Sequence, residues 1–270
     1  MKKVIYYSDE LNDDFAPGLK VAKPAQITEK YDYLARKNVI VKFCSFLLYR
    51  VIATPVAIIY MRLFKGLRVK NARNLRKIKG GFFLYGNHTQ VAGDAFTPSV
   101  LTFPKRANIL VHPDAVSIPF VRVLVPLLGG VPVPSNLGAT RNLIKAMPYY
   151  LKKRQAIVVY PEAHIWPYFN GIRDFTDSSF AYPFLFDVPA VAFTVTYRQS
   201  KIFKNARPLV TVTIGKPVYP KDCSGKTEMR EKIYSFMVET VKKEKSFAYV
   251  EYIKKGKDED DDNSNLRCAR

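Results

Sequence analysis

A chain of 270 residues, 48% of them hydrophobic, can bury a substantial core within one domain, which excludes disorder over most of its length. Its 43 Lys and Arg against 23 Asp and Glu leave +20, a balance that attracts nucleic acid, anionic lipid headgroups, or phosphorylated and acidic small partners. The three cysteines, Cys44, Cys223 and Cys268, are far apart and form no CxxC, so they suggest neither a disulfide framework nor a cysteine zinc site and fit a reducing compartment.

The N-terminus, "MKKVIYYSDELNDDF", turns acidic where a cleaved export signal needs an apolar run, so any membrane contact is expected to belong to the mature chain. Residues 1–30 form a polar, Pro-containing lead-in. Residues 31–66 carry an apolar run from Phe43 to Met61, interrupted by Arg50 and Pro55. As a helix this run reaches about 28 Å, close to the apolar thickness of a bilayer. Arg50 in its middle costs on the order of 2.5–3.5 kcal/mol in a span, and Lys42, Arg62 and Lys65 stand among the basic residues flanking it. A helix lying in the headgroup region, or a re-entrant pair broken at Pro55, is therefore expected over a simple span, with a buried core helix as the alternative.

Residues 67–255 alternate short β-type runs with helical patterns. The strands fall at Phe82–Tyr85, Asn108–Val111, Val131–Val133, Ala156–Tyr160, Ala190–Tyr197 and Leu209–Ile214, and the helices near Ala95–Leu101, Pro119–Leu128 and Thr140–Lys153. A last helix is expected from about Thr227 to Lys254, with Ile233, Phe236, Met237 and Val241 at helical spacing. Residues 256–270 read as an acidic disordered tail. The fold class is α/β: a mixed central sheet flanked by helices, preceded by an apolar membrane-interface helical segment.

Two strand ends carry chemistry. In "FFLYGNHTQVAGD" an apolar strand delivers His88 to a loop, with Asp94 six residues on. A neutral imidazole there can take the proton of a substrate hydroxyl, and a carboxylate on its other nitrogen fixes the tautomer; an ordinary structural pair is the alternative. In "AIVVYPEAHIWPYFNGIRDF" a second strand runs into Glu162, followed by His164 and Arg173. A carboxylate and an imidazole here can bond polyol hydroxyls and a guanidinium can grip phosphate, unless Glu162 only caps a turn.

Together these blocks resemble the glycerolipid acyltransferase family, 1-acylglycerol-3-phosphate acyltransferases and their lysophospholipid acyltransferase relatives. The likeness is carried by Asn87-His88 with Asp94, "LLGGVPVPS" at Leu127–Ser135, "VVYPEAH" at Val158–His164 and "DVPAVAFTV" at Asp187–Val195, in the family's order. Departures exist. Five residues separate His88 from Asp94 where the family has four, and Gly93, which tolerates positive φ, is expected to absorb the extra one in loop. Ala163-His164-Ile165 stand where the family has Gly-Thr-Arg, and Pro134-Ser135 where an arginine is usual. Arg141, Lys145 and Arg173 are the nearest basic substitutes, and His164 is either a phosphate contact or a structural histidine.

The resemblance implies direct acyl transfer from an acyl-CoA or acyl carrier protein thioester to a hydroxyl of lysophosphatidic acid or a related glycerol phosphate acceptor. His88 would be the base, Asp94 its orienting partner, Glu162 an acceptor-binding residue and Asn87 a loop-shaping neighbour. It implies no metal and no cofactor beyond the thioester co-substrate, an anionic membrane surface as partner, no nucleic acid, and a peripheral or monotopic position on the cytoplasmic side. Neither a GxSxG elbow nor a cysteine near either histidine block is present for an acyl-enzyme. Competing readings are a catalytically divergent lipid-binding relative, a two-metal phosphoesterase, for which three histidines are too few, and a nucleic-acid-binding protein, for which no recognition motif is present.

Overall fold

The computed structural model describes residues 3–15, 25–34, 38–118, 120–200 and 207–255; the expected tail at 256–270 and the start of the helix expected at Pro119 lie outside them. Seven strands form the central sheet: β2 (Arg68–Lys70), β3 (Phe82–Gly86), β4 (Ala107–Val111), β5 (Gly130–Pro132), β6 (Ala156–Val159), β7 (Ala190–Arg198) and β8 (Leu209–Ile214). Their order is β2-β8-β7-β3-β6-β4-β5. β7, β3, β6, β4 and β5 run parallel, whereas β8 pairs antiparallel with β7 and carries β2 parallel to itself, so the sheet is mixed as expected. Every residue of β3 and β6 is buried, which is why both read as unbroken apolar runs instead of alternating ones.

Helices cover both faces. On one, α6 (Leu137–Lys152), α7 (Ala181–Phe186) and α8 (Lys226–Glu244) pack with Phe83, Tyr85, Ile157 and Val159; on the other, Phe82, Leu84, Val158 and Phe193 meet α3 (Arg73–Arg76) and α4 (Gly93–Thr102). α5 (Val121–Leu127) precedes β5. The expected strands and helices are found to within a few residues at each end, whereas β2, α3 and α7 were not among them. The last helix is the exception. It stops at Glu244, where Lys245 adopts a left-handed φ of 47°. Val241 is the last apolar residue of its stripe; past it the chain turns, Phe247 N–H bonds Tyr197 O, and residues Val250–Lys254 form β9. β9 pairs parallel with β1 (Lys3–Tyr7, KVIYY), a strand that was not expected inside the lead-in.

The N-terminal helix is continuous from Val39 to Phe64, 26 residues and about 39 Å long, and is long and apolar enough to cross a membrane by length and composition. It is not broken at Pro55. α1 (Val39–Phe46) and α2 (Thr54–Ile59) are joined by a π-helical stretch, Leu47–Ala53, in which Thr54 N–H reaches back five residues to Tyr49 O; the widened turn accommodates the proline. The extra residue also resets the inward stripe, so Ser45, Tyr49, Thr54, Ala57 and Met61 face the protein. Ser45 and Thr54 spend their hydroxyls on the carbonyls of Leu127 and Tyr49, both within 2.8 Å. Phe43, Phe46, Val51, Ile52, Val56 and Leu63 are exposed, an apolar face turned outward and a partly polar one turned in. Arg50 points inward too, donating to Pro104 O, so the charge that argued against a span is not on the outward face. Tyr60 packs edge-on to Phe96 of α4, fixing the helix beside the element that carries Asp94.

Candidate active site

β3 lies between β7 and β6, and the loop at its C-terminal end is pinned on both sides. Gly86 is required because a Cβ there would stand 2.1 Å from the Phe193 ring. Asn87 follows, accepting from Val195 N–H at 2.7 Å and donating to Val195 O at 3.0 Å, so its amide imitates a strand partner where the backbone leaves the sheet. His88 N–H donates to Glu162 Oε2 at 3.1 Å, and its carbonyl accepts from Trp166 N–H. The backbone of the candidate base is thus held from the β6 side.

The ring of His88 meets Asp94, with Nδ1 to Oδ2 at 2.7 Å. The extra residue of the interval is absorbed at Val91–Ala92, a turn that opens directly into α4, with Asp94 N–H bonded to Gln90 O. Gly93 does not use positive φ, contrary to expectation. It starts α4, and its missing side chain leaves room for Gln90, whose Oε1 would lie 2.3 Å from a Cβ. Gln90 in turn donates to Asp94 through its backbone N–H at 2.9 Å and through Nε2 at 3.4 Å. As the second residue of α4, Asp94 also lies at the helix end that favours negative charge. Burial pushes the Asp94 carboxyl above its ordinary value, and the bonds from His88 and Gln90 pull against it.

Tyr160, at the end of β6, closes the pair from the other side. Its ring stacks on His88 at 4.5 Å between centroids and its hydroxyl donates to Asp94 O at 2.6 Å. Neither Tyr160 nor Gln90 was singled out from the sequence; the signal was present, since both lie inside the two quoted blocks. The His88 side chain is 22% exposed and Asp94 only 4%. With Nδ1 occupied, Nε2 is the nitrogen left for an incoming proton.

The second constellation is built differently. Glu162 and Arg173 pair at 3.3 Å with side chains 0% and 1% exposed. Arg173 also donates to the carbonyls of His164 and Glu10, and its guanidinium lies 4.9 Å over Trp166. Burial raises the Glu162 carboxyl, opposed first by the charge of Arg173. Trp166 is itself clamped by Tyr7 of β1 and Tyr252 of β9, at 4.7 and 4.8 Å. Enclosure leaves neither Glu162 nor Arg173 a surface for substrate. His164 is half-buried, its carbonyl taken by Arg173. Arg141 and Lys145 are exposed on α6, across the sheet from Tyr160, and are not brought to His88. Among the described residues no group of three or more His, Cys, Asp or Glu is placed to hold a metal ion.

No family model and no curated protein sequence matches the chain. Among solved structures it is similar to the 1-acyl-sn-glycerophosphate (LPA) acyltransferase PlsC from Thermotoga maritima, at 19% identity and a TM-score of 0.57, over 80% of this chain and 91% of that one. The two chains share a fold. At that identity the likeness is one of architecture, and the chemistry must be argued from the residues at the strand ends.

Proposed function

We propose that the protein is a membrane-associated O-acyltransferase that moves a fatty acyl group from an acyl thioester to the free hydroxyl of a glycerophospholipid precursor, with lysophosphatidic acid as the acceptor. The observation that carries this reading is the His88–Asp94 contact at 2.7 Å on a ring still open to solvent, at the end of a parallel strand in a fold shared with an LPA acyltransferase. His88 Nε2 accepts the acceptor hydroxyl's proton while Asp94 holds Nδ1–H and stabilises the imidazolium. The oxygen forms its bond to the thioester carbonyl carbon, the carbon–sulfur bond breaks, and the proton passes from His88 to the departing thiolate. The protein supplies no covalent intermediate.

Glu162 and Arg173 are read as positioning residues: Glu162 holds the His88 backbone and Arg173 holds Glu162. Asn87 shapes the loop. The exposed apolar face of the Val39–Phe64 helix supports insertion into the lipid that contains the acceptor, and its basic flanks support a cytoplasmic placement. A second reading, a lipid-binding relative without turnover, is favoured by one observation: Arg173 is enclosed and Arg141 is remote, so neither candidate arginine replaces the missing phosphate contacts. Thiol release by the full chain in detergent, measured with acyl-CoA and acyl carrier protein donors against glycerol 3-phosphate, lysophosphatidic acid and lysophospholipids, separates the two. Transfer to lysophosphatidic acid supports the enzyme; lipid binding without transfer to any acceptor supports the second reading.

A further inference from the structure

The opposite end of the sheet, where β3, β4 and β6 begin, holds a cleft of about 490 Å³ lined by six cationic side chains: Arg50, Lys79, Lys105, Arg106, Lys153 and Arg154. Among the described residues no carboxylate lines it. The cations come from four segments: the N-terminal helix, the turn before β3, the turn before β4 and the end of α6. The partial negative charge at a helix C-terminus accounts for Lys153 and Arg154, but not for the other four.

Like charges gathered this closely repel, and the local structure holds them there. Lys105 Nζ is held by the carbonyls of Ile78 and Gly80; its pKa is lowered, first by burial and then by the charge of Arg154. Arg50 turns in from the middle of an apolar helix, and its Nη1 is buried with no hydrogen-bond partner among the described residues. Arg154 sits one position past the C-cap of α6 with φ at 58°, its N–H on Leu151 O and the Gln155 N–H on Tyr150 O. That is the closing motif in which glycine is the usual residue, so a long cationic side chain occupies a backbone conformation that disfavours it.

We propose that this cleft binds the phosphate of an anionic phospholipid headgroup, separately from the lipid that reacts at His88. The proposal rests on the membrane-associated reading above. A lipid is favoured over a soluble phosphate because the N-terminal helix contributes Arg50 to the cleft and exposed aromatic side chains stand beside it. A smaller hollow lined by Lys42, Phe46 and Tyr49 shares Arg50, Arg106 and Lys153 with the cleft, and Phe46 and Phe103 beside it are 54% and 51% exposed. Acyl chains lying along that helix would bring their headgroup to the cations.

The test is isothermal titration of the full chain, in an uncharged detergent and without acyl donor, with short-chain phosphatidylglycerol, short-chain phosphatidylcholine and glycerol 3-phosphate. Wild-type protein is expected to bind the glycerol lipid about tenfold or more tighter than the choline lipid. The double variant Lys153→Gln/Arg154→Gly is expected to lose that preference while keeping its thermal midpoint, since Lys153 is exposed and glycine suits the left-handed position. His88→Ala is expected to bind as wild type does, which separates this site from the proposed chemistry. Unchanged phosphatidylglycerol affinity in the double variant, or its loss in His88→Ala, overturns the proposal. Glycerol 3-phosphate binding at this cleft as tightly as the lipid also overturns it, in favour of a soluble anion. Absence of acyl transfer leaves this result readable, because no step of the titration uses turnover.

Discussion

The His88–Asp94 and Glu162–Arg173 pairs stand one bond apart, joined through His88 N–H and Glu162 Oε2, yet they are solvated in opposite ways. One keeps an imidazole 22% exposed above a buried carboxylate; the other is sealed on both sides. A buried ion pair whose guanidinium also donates to neighbouring carbonyls is suited to holding a shape, and a buried acid bonded to a partly open base is suited to moving a proton. Residue type does not separate the two roles. Enclosure does.

That contrast can be broken from either side. Arg173→Met should leave the Glu162 carboxyl buried without its counter-charge and cost about 3–5 kcal/mol of stability by chemical denaturation. A loss below about 1 kcal/mol would show that the pair is not the clamp described. Asp94→Asn should act on rate instead, lowering acyl transfer about 10²-fold or more with Km little changed, because the imidazolium loses its partner; an equal loss in Km and kcat would point to acceptor binding.

The same variant has a smaller effect on stability, with a defined sign. Asp94 has its pKa raised by burial, so the folded state holds the proton more tightly than the unfolded chain. The stability this contributes is present below the unfolded value, near 3.8, and is lost as pH rises through the higher folded value. Thermal midpoints of wild type and Asp94→Asn followed upward from pH 4 should therefore diverge, wild type falling relative to the variant; parallel curves would contradict a raised pKa. Smallest of all, Tyr160→Phe keeps the ring on His88 and removes the bond to Asp94 O, for about 1 kcal/mol in stability or rate.

Much of this arrangement was legible because the sheet is buried on both faces. β3 and β6 announced themselves as apolar runs, and each led to a polar residue just past its C-terminal end, which is how His88 and Glu162 were found. The roles were harder to read. Glu162 and Arg173 have the composition of a substrate grip, and only the packing of Tyr7, Trp166 and Tyr252 around them reveals enclosure. That packing depends on β1 pairing with β9 across nearly the whole chain, a contact between two short, largely exposed strands that no local pattern encodes. Gly93 was located correctly and misread: its value lies in the space it leaves for Gln90, not in its φ. Pro55 likewise signalled a break, but a π-helical turn absorbed it.

The central claim is that His88 is the base. Its most direct test is thiol release from acyl-CoA with lysophosphatidic acid as acceptor, comparing wild type with His88→Ala at matched thermal midpoints. The account predicts phosphatidic acid formed mole for mole with thiol by the wild type, and a loss of about 10³-fold in the variant, within the range that general base catalysis supplies. Equal turnover by the two proteins would contradict it.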